Sequence, residues 1–298
     1  MIRGAVLSTL HVMPRTVHLL ALAGALATAT AAVLIRQGLR GGNAYGGYWV
    51  NLAVGTVGLW VAVLVRGPLE PVQAKGIAFF VLAGLVGTVA GRLLRFISIE
   101  KVGASVTAAL NNLYPFISSG LAILLLGEHV TTAIIAGTVV IVLGTLLLSV
   151  SGRHVGFRPQ DLVFPILSAI CFGVVAVLRK LGLGSMSPVP GFAVNVTTAL
   201  IAFTAFLAAT GNRDAMALSG RSLAYFVAAG VAENAGVFLA LLALSLGTVS
   251  VVAPLAGTAP IFVLLMSFFF LRGVERLTAR VVLGTLFIVL GVFLITAL

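Results

Sequence analysis

The chain has 298 residues, of which 60% are hydrophobic and 8% are charged, with a formal net charge of +11. A soluble domain carries about a quarter charged residues, so an ordinary soluble domain is excluded. No basic run with interleaved aromatic residues is present, and we expect no nucleic-acid partner. The single cysteine, Cys171, excludes an internal disulfide, and the four histidines are scattered. We therefore predict no metal site, no cofactor and no catalytic residue.

Ten apolar segments follow one another along the chain. They cover residues 17–36, 44–65, 74–97, 103–125, 131–151, 162–180, 190–210, 222–244, 248–271 and 279–297. A bilayer core of about 30 Å is crossed by roughly 20 apolar residues in a helix. The backbone must hydrogen-bond to itself in lipid, and runs such as Val139–Val150 lack the alternation of a barrel strand. The pattern predicts an all-α polytopic membrane protein with ten transmembrane helices.

The first segment also has features of a signal peptide. Arg3 and Arg15 precede the apolar residues 19–27, and the small residues 28–32 follow them. The second half of the chain contains a counterpart of this segment, and we therefore expect it to be retained as a transmembrane helix.

An internal repeat relates the two halves. At an offset of 144, the residues Ala32–Leu34, Arg36, Gly38 and Leu39 match Ala176–Leu178, Lys180, Gly182 and Leu183. At an offset of 145, Gly91, Ser105 and Pro115 match Gly236, Ser250 and Pro260. At an offset of 147, Glu128, Thr131, Gly137 and Gly144 match Glu275, Thr278, Gly284 and Gly291. We divide the chain into repeats 1–153 and 154–298. Because each repeat has five helices, the two must lie in the membrane with opposite orientations, as in many secondary transporters.

The arrangement of these residues resembles the EamA domain of the drug/metabolite transporter superfamily. The resemblance is carried by Ala83–Gly84, Gly87, Gly91, Gly103–Ser105, Pro115, Leu126–Glu128, Gly137 and Gly144, and again by Gly230, Gly236, Ser250, Pro260, Glu275, Gly284 and Gly291. The second copy departs from the pattern, since Arg272–Val274 separate Leu271 from Glu275. The resemblance implies ten helices, a central cavity lined mainly by the first, third and fourth helices of each half, and export or exchange of small metabolites.

Charged groups within the third apolar segment are the first candidates for substrate binding. Arg92 and Arg95 lie three residues apart and on one helix face, with Thr88 on the same stripe. An ionisable group inside a bilayer is costly, and a guanidinium binds carboxylate or phosphate groups bidentately. We interpret these residues as an anion-binding wall. The alternative is that the arginines extend to the helix end or pair with Glu100 or Glu233.

Glu233 and Asn234 are the corresponding candidates in the eighth segment. Glu233 matches Thr88 under the repeat, so the two halves differ in charge. Its carboxylate could bind a substrate amine, carry a coupled proton or neutralise Arg92, and we name it as the coupling candidate.

Prolines divide the fourth and ninth segments. A proline inside a helix removes a backbone hydrogen bond and can leave a carbonyl free to face a cavity. We predict helix-breaking or gating roles for the prolines and substrate contacts for the polar residues nearby. The alternative is that the prolines produce kinks needed only for packing and that the asparagines bridge helices. The residues are Pro115, Pro254 and Pro260, with Asn111, Asn112, Tyr114 and Thr258.

Two further groups are interpreted as structural. Tyr45, Tyr48 and Trp49 at the start of the second segment are typical of an interfacial aromatic belt. Glu128 and Glu275 end helices beside Thr131 and Thr278, which we expect to cap the following helices.

The distribution of basic residues and the family resemblance disagree about orientation. With both termini inside, six Lys or Arg residues are cytoplasmic: Arg3, Arg15, Arg66, Lys75, Arg179 and Lys180. The opposite face then carries ten: Arg36, Arg40, Lys101, Arg153, Arg158, Arg213, Arg221, Arg272, Arg276 and Arg280. The positive-inside rule favours external termini. The resemblance implies cytoplasmic termini, which is the orientation we retain.

These patterns together predict a secondary transporter, not an enzyme, that moves a small polar metabolite such as an amino acid or another carboxylate- or phosphate-bearing compound by alternating access. Alternatives are an exporter of cationic or amphipathic drug-like compounds, an integral-membrane enzyme and a non-transporting scaffold. No Walker A loop is present, which argues against direct ATP coupling. We expect a small-molecule substrate and the lipid bilayer as partners, a monomer or homodimer, and a prokaryotic inner or plasma membrane location.

Overall fold

The computed structural model describes residues 2–66, 73–102, 110–149, 158–211, 218, 220–259, 261–262, 265–266 and 279–296, without the side chains of residues 2–14, 36, 66, 96, 99, 100, 148, 149, 280 and 281. All regular structure in these ranges is helical. The elements are α1 (Ile2–Gly38), α2 (Ala44–Arg66), α3 (Ala74–Ala83), a π-helical segment (Gly84–Gly91), α4 (Arg92–Val102), α5 (Tyr114–Leu126), α6 (Thr132–Ser149), a 3-10 turn (Pro159–Leu162), α7 (Val163–Leu183), α8 (Pro188–Thr210), α9 (Gly220–Leu246), α10 (Val249–Ala256) and α11 (Ala279–Thr296).

Membrane-length helices account for most of the predicted segments. Six described helical stretches are long and apolar enough to cross a bilayer: Arg15–Ile35, Ala44–Val65, Ala74–Arg95, Pro159–Leu183, Pro188–Thr210 and Gly220–Leu246. Three shorter apolar helices cover Tyr114–Leu126, Thr132–Leu147 and Val282–Thr296. The predicted all-α membrane fold is confirmed.

Several boundaries differ from the prediction. The helix α1 begins at Ile2, well before the apolar segment predicted from residue 17. The third segment is three successive helical pieces that extend to Val102. The fourth and ninth segments are interrupted by turns at residues 112–113 and 257–258, which occupy equivalent positions at an offset of 145. Residues 103–109 and 267–271 of these segments lie outside the described residues.

The helix contacts follow a pseudo-twofold pattern. The first helix of each half lies along the third helix of the other: α1 on α9, and α7 on α3, the π-helical segment and α4. The second helices contact each other and the third helix of the opposite half. The pairs α5–α10 and α6–α11 join equivalent helices, and α5 packs on α7 as α10 packs on α1. This interlocked arrangement is the one that inverted repeats produce.

Glycines allow the closest of these contacts. A Cβ atom on Gly24 of α1 would lie 2.8 Å from the carbonyl oxygen of Gly236 in α9, and one on Gly137 of α6 would lie 2.8 Å from that of Gly291 in α11. Small residues at such positions let helix backbones approach, and dispersion contacts then hold the bundle together in lipid.

A phenylalanine fills an equivalent glycine-lined space in each half. Phe80 of α3 is fully buried against Gly182 and Gly191, where an added Cβ atom would overlap its ring. Phe226 of α9 is 1% exposed and packs in the same way on Gly38 and Gly47. Since the glycine pairs match at an offset of 144, the repeat preserves this packing as well as the helix order.

Candidate substrate site between the two halves

An ion pair joins the two halves at their interface. Arg92 Nη2 lies 2.9 Å from Glu233 Oε1, and the two side chains keep 21% and 20% of their accessible surface. Arg92 follows directly on the π-helical segment, and Glu233 lies in the middle of α9. The structure thus confirms the alternative that Arg92 pairs with Glu233, and about a fifth of each side chain stays accessible.

Asn51 and Tyr48 contact this ion pair. We call Arg92, Glu233, Asn51 and Tyr48 the first arginine set. Asn51 Nδ2 donates to Glu233 Oε2 at 2.8 Å, and the Arg92 guanidinium carbon lies 5.3 Å from the centroid of the Tyr48 ring. The Tyr48 hydroxyl donates to the carbonyl oxygen of Thr88. Tyr48 is only 7% exposed. The prediction of an interfacial belt is therefore wrong for Tyr48, because the ring is buried between the halves.

A second arginine, Arg179, also contacts an asparagine and an aromatic ring. We call Arg179, Asn195, Phe192 and Thr88 the second arginine set. Arg179 Nε and Nη2 donate to Asn195 Oδ1 at 3.0 and 2.9 Å. Asn195 Nδ2 donates to Thr88 Oγ1 at 3.1 Å. The guanidinium carbon lies 5.6 Å from the centroid of the Phe192 ring. Each guanidinium therefore lies against an aromatic ring. Arg179 binds its asparagine directly, whereas Arg92 is linked to Asn51 through Glu233.

Arg179, Asn195 and Phe192 were not among the predicted site residues, and Arg179 was counted only as a basic residue at the cytoplasmic end of the sixth segment. The available signal was the repeat offset of 144, which relates Asn51 to Asn195 and Tyr48 to Phe192. Lys180 lies beside it, and its Nζ donates to the carbonyl oxygens of Leu244 and Gly247 at 2.7 and 2.5 Å.

Arg95 and Thr88 are the remaining predicted substrate-binding residues of the third segment. Arg95 is exposed and interacts electrostatically with both Arg92 and Glu233. It forms no hydrogen bond or ion pair with a described side chain. Thr88 is 6% exposed and lies in the π-helical segment. Such segments often occur at functional sites because they alter the register of the side chains that follow. The Glu100 side chain lies outside the described residues.

Asn234 and Thr258 bind to the backbone. Asn234 Nδ2 donates to the carbonyl oxygens of Asn51 and Gly230 at 3.1 and 2.8 Å, and its amide fills the space beside Gly55. Thr258 is 1% exposed and donates to the carbonyl oxygen of Leu255 at 2.7 Å. These contacts give both residues a structural role in the conformation described.

The other predicted residues of the fourth and ninth helices meet at the two helix breaks. The Tyr114 hydroxyl donates to the carbonyl oxygen of Ala253 at 2.8 Å. Pro115 lies in the first turn of α5, and Pro254 lies inside α10. Pro260 lies outside the described residues.

Two neighbouring asparagines before this break have unsatisfied amide atoms. Asn111 is 8% exposed, and neither its Oδ1 nor its Nδ2 has a hydrogen-bond partner among the described residues. Asn112 Nδ2 is also buried without a described partner. The predicted bridging of helices by these asparagines is absent from the described contacts.

Glu128 has a structural role across the two halves. Its carboxylate accepts hydrogen bonds from the backbone N–H groups of Val249 and Ser250 at 2.8 and 3.0 Å and from the Ser250 hydroxyl at 2.8 Å. It therefore caps the N-terminus of α10. Thr131 Oγ1 accepts from the N–H of Ile134 at 3.3 Å, as predicted for a cap. Glu275 and Thr278 lie outside the described residues.

The two tryptophans of α2 bind to α8. Trp49 Nε1 donates to Thr204 Oγ1 at 3.0 Å, and Trp60 Nε1 donates to Thr197 Oγ1 at 2.9 Å. Trp49 thus joins two helices, whereas Tyr45 remains exposed as expected for an interfacial residue.

Among the described side chains, no cluster of three or more His, Cys, Asp or Glu residues could hold a metal ion.

Comparison with known proteins identifies the class defined by this fold. A solved structure titled "Crystal structure of protein" matches with a TM-score of 0.77 and 17% sequence identity, over 94% of this chain and 96% of its own. At that identity the likeness shows the fold alone. No curated protein matches the chain.

The family is shown by a match to both halves. The model of the EamA-like transporter family matches residues 15–150 and again residues 161–297. The chain therefore belongs to the EamA-like transporter family, within the drug/metabolite transporter superfamily. It is an integral, multi-pass membrane protein made of two inverted repeats.

Proposed function

We propose that this transporter exports or exchanges a small polar metabolite that carries a carboxylate or phosphate group, by alternating access. The observation that carries the proposal is the excess of arginine over carboxylate at the interface of the halves. The charge of Arg92 acts on both Arg95 and Arg179, and among the described side chains only Glu233 forms an ion pair with one of the three. Buried charges are costly unless they are paired, so this excess favours an anionic ligand.

The Arg92–Glu233 pair supplies a connection that can open and close. It links the third helix of one half to the third helix of the other, and its atoms remain partly accessible. A substrate anion would compete with Glu233 for Arg92, and protonation of Glu233 would release Arg92 in the same way. We assign Arg92, Arg95 and Thr88 to substrate binding and Glu233 to coupling with a proton.

The proposal is tested with the purified chain in proteoliposomes. Uptake of lactate, succinate, glutamate and glycerol 3-phosphate is compared with uptake of choline. We expect at least one anion to be transported far faster than choline. Preference for choline would overturn the proposal and would favour the drug-exporter alternative, in which Glu233 binds a cation.

A double-mutant cycle separates binding from folding. Arg92→Gln alone leaves Glu233 unpaired, whereas Arg92→Gln combined with Glu233→Gln removes both charges. We expect the double variant to regain stability but to transport the preferred anion at least tenfold more slowly than the wild type. Arg221→Gln, at an exposed position of α9, is the control. Wild-type rates in the double variant would show that the pair is only structural.

We also propose a prokaryotic inner or plasma membrane location with cytoplasmic termini. The protein is a monomer or homodimer, and the first repeat of each chain ends at residue 153. Light scattering of the detergent-solubilised protein measures the oligomeric state. Accessibility of a cysteine introduced at Arg40, in a variant whose native Cys171 is replaced by serine, measures the orientation, since that turn connects the first two transmembrane helices.

A further inference from the structure

Arg179 has no acidic partner among the described side chains. Two of its five N–H groups donate to Asn195 Oδ1, and the other three form no hydrogen bond with a described residue. Its contacts are a neutral amide oxygen and the face of the Phe192 ring. Neither contact neutralises the guanidinium charge, which lies near the like charge of Arg92.

The described carboxylates are all engaged elsewhere. Glu128 caps α10, Asp161 lies 3.8 Å from Lys101, and Glu233 pairs with Arg92. A partly buried arginine that has only neutral contacts is left with an unbalanced charge.

The repeat identifies the position at which the second set lacks a carboxylate. In the first arginine set, Asn51 donates to Glu233, whose carboxylate neutralises Arg92. In the second set, the equivalent Asn195 donates to Thr88, the position that matches Glu233 at an offset of 145. The second set therefore has a ring and an asparagine at equivalent positions, with a hydroxyl where the first set has a carboxylate. Its arginine comes from the first helix of the half, since the position that matches Arg92 is Val237.

We propose that Arg179 and Thr88 form an anion-binding subsite, oriented by Asn195, that takes the carboxylate or phosphate group of the transported substrate. This inference rests on the proposed function and locates its anion. The free N–H groups of Arg179 form a planar fork that matches either group. The Thr88 hydroxyl accepts from Asn195 and keeps its own proton to donate to a ligand oxygen.

The test compares each transported anion with its uncharged counterpart in proteoliposomes. The pairs are lactate with lactamide, succinate with succinamide, glutamate with glutamine and glycerol 3-phosphate with glycerol. Arg179→Gln is expected to raise the KM of the preferred anion at least tenfold and to change transport of the counterpart by less than twofold. Arg179→Lys, which keeps the charge and loses the fork, should give an intermediate KM.

Controls separate this inference from the proposed function. Arg40→Gln, in the exposed turn after α1, should leave both KM values unchanged. An unchanged anion KM in Arg179→Gln, or equal losses for the anion and its counterpart, would overturn the subsite while leaving anion transport intact. A wild type that transports none of the anions would overturn the proposed function itself. If Arg179→Gln does not fold, Thr88→Val provides the same comparison, with an expected KM increase of at least threefold.

Discussion

Asn51 and Asn195 occupy equivalent positions 144 residues apart, and each donates a side-chain hydrogen bond to the third helix of the opposite half. The acceptors are Glu233 Oε2 at 2.8 Å and Thr88 Oγ1 at 3.1 Å. Because these two acceptor positions are also equivalent, the fold repeats the geometry while the chemistry differs. A symmetric scaffold thus presents an asymmetric surface to its ligand.

The two asparagines should differ in their contribution to stability. Asn195→Ala removes three hydrogen bonds, two of them from a charged guanidinium, whereas Asn51→Ala removes one side-chain bond. A bond to a charged group contributes about 1.5–3 kcal/mol in soluble proteins and about 0.6 kcal/mol on average between membrane helices. We expect losses in the free energy of unfolding of about 2 kcal/mol for Asn195→Ala and about 1 kcal/mol for Asn51→Ala. Tryptophan fluorescence during unfolding in mixed micelles measures both, and equal losses would contradict the prediction.

The cap formed by Glu128 should be required for stable packing of the two halves. Its carboxylate binds three donors at the N-terminus of α10, where the helix dipole also favours a negative charge. Glu128→Gln keeps the shape and removes the charge, and we expect a loss of about 1–2 kcal/mol. Ser250→Ala, which removes only the hydroxyl donor, should cost less. A larger loss for Ser250→Ala than for Glu128→Gln in the same unfolding assay would contradict the capping role.

The membrane fold was predictable because its signals are local and repeated. Each bilayer crossing needs a long apolar stretch, and the matched glycines and prolines identify the second half as a copy of the first. The break before Pro115 followed from the chemistry of proline alone.

The details of the site depended on contacts between distant helices. The π-helical segment forms where Gly84 and Gly87 lie close to Asn195 and Val175 of neighbouring helices, a contact that hydropathy does not report. Tyr48 was assigned to the interface because it begins a helix, yet its ring is buried by the facing half. Arg179 was counted only as a basic residue at the end of a segment, although its side chain extends to Asn195. A charge near a helix end therefore requires tertiary information before its role can be assigned.

Helix contacts through glycine should be intolerant of even one methyl group. A Cβ atom on Gly24 would lie 2.8 Å from the Gly236 carbonyl oxygen, and one on Gly144 would lie 2.6 Å from that of Gly284. We expect Gly24→Ala and Gly144→Ala to destabilise the protein by about 1–3 kcal/mol, the usual cost of overpacking. Gly58→Ala is the matched control, since nothing lies within 4 Å of its added methyl group. It should be neutral or stabilising by up to about 1 kcal/mol. Equal melting temperatures for all three variants would show that the helices can separate at little cost.

Pro254 should affect the rate of transport more than the affinity for substrate. It lies inside α10, where its missing N–H leaves the Ser250 carbonyl without an intrahelical partner four residues later, and the helix ends at Ala256. Pro254→Ala restores that donor and should stiffen the helix before the turn at residues 257–258. We expect the maximal transport rate to fall several-fold with an unchanged KM, because the conformational step becomes slower while the binding residues stay in place. Pro165→Ala is the control, since Pro165 lies in the first turn of α7, where no intrahelical bond is lost. If the rate in Pro254→Ala equals that of the wild type, this proline serves packing rather than gating.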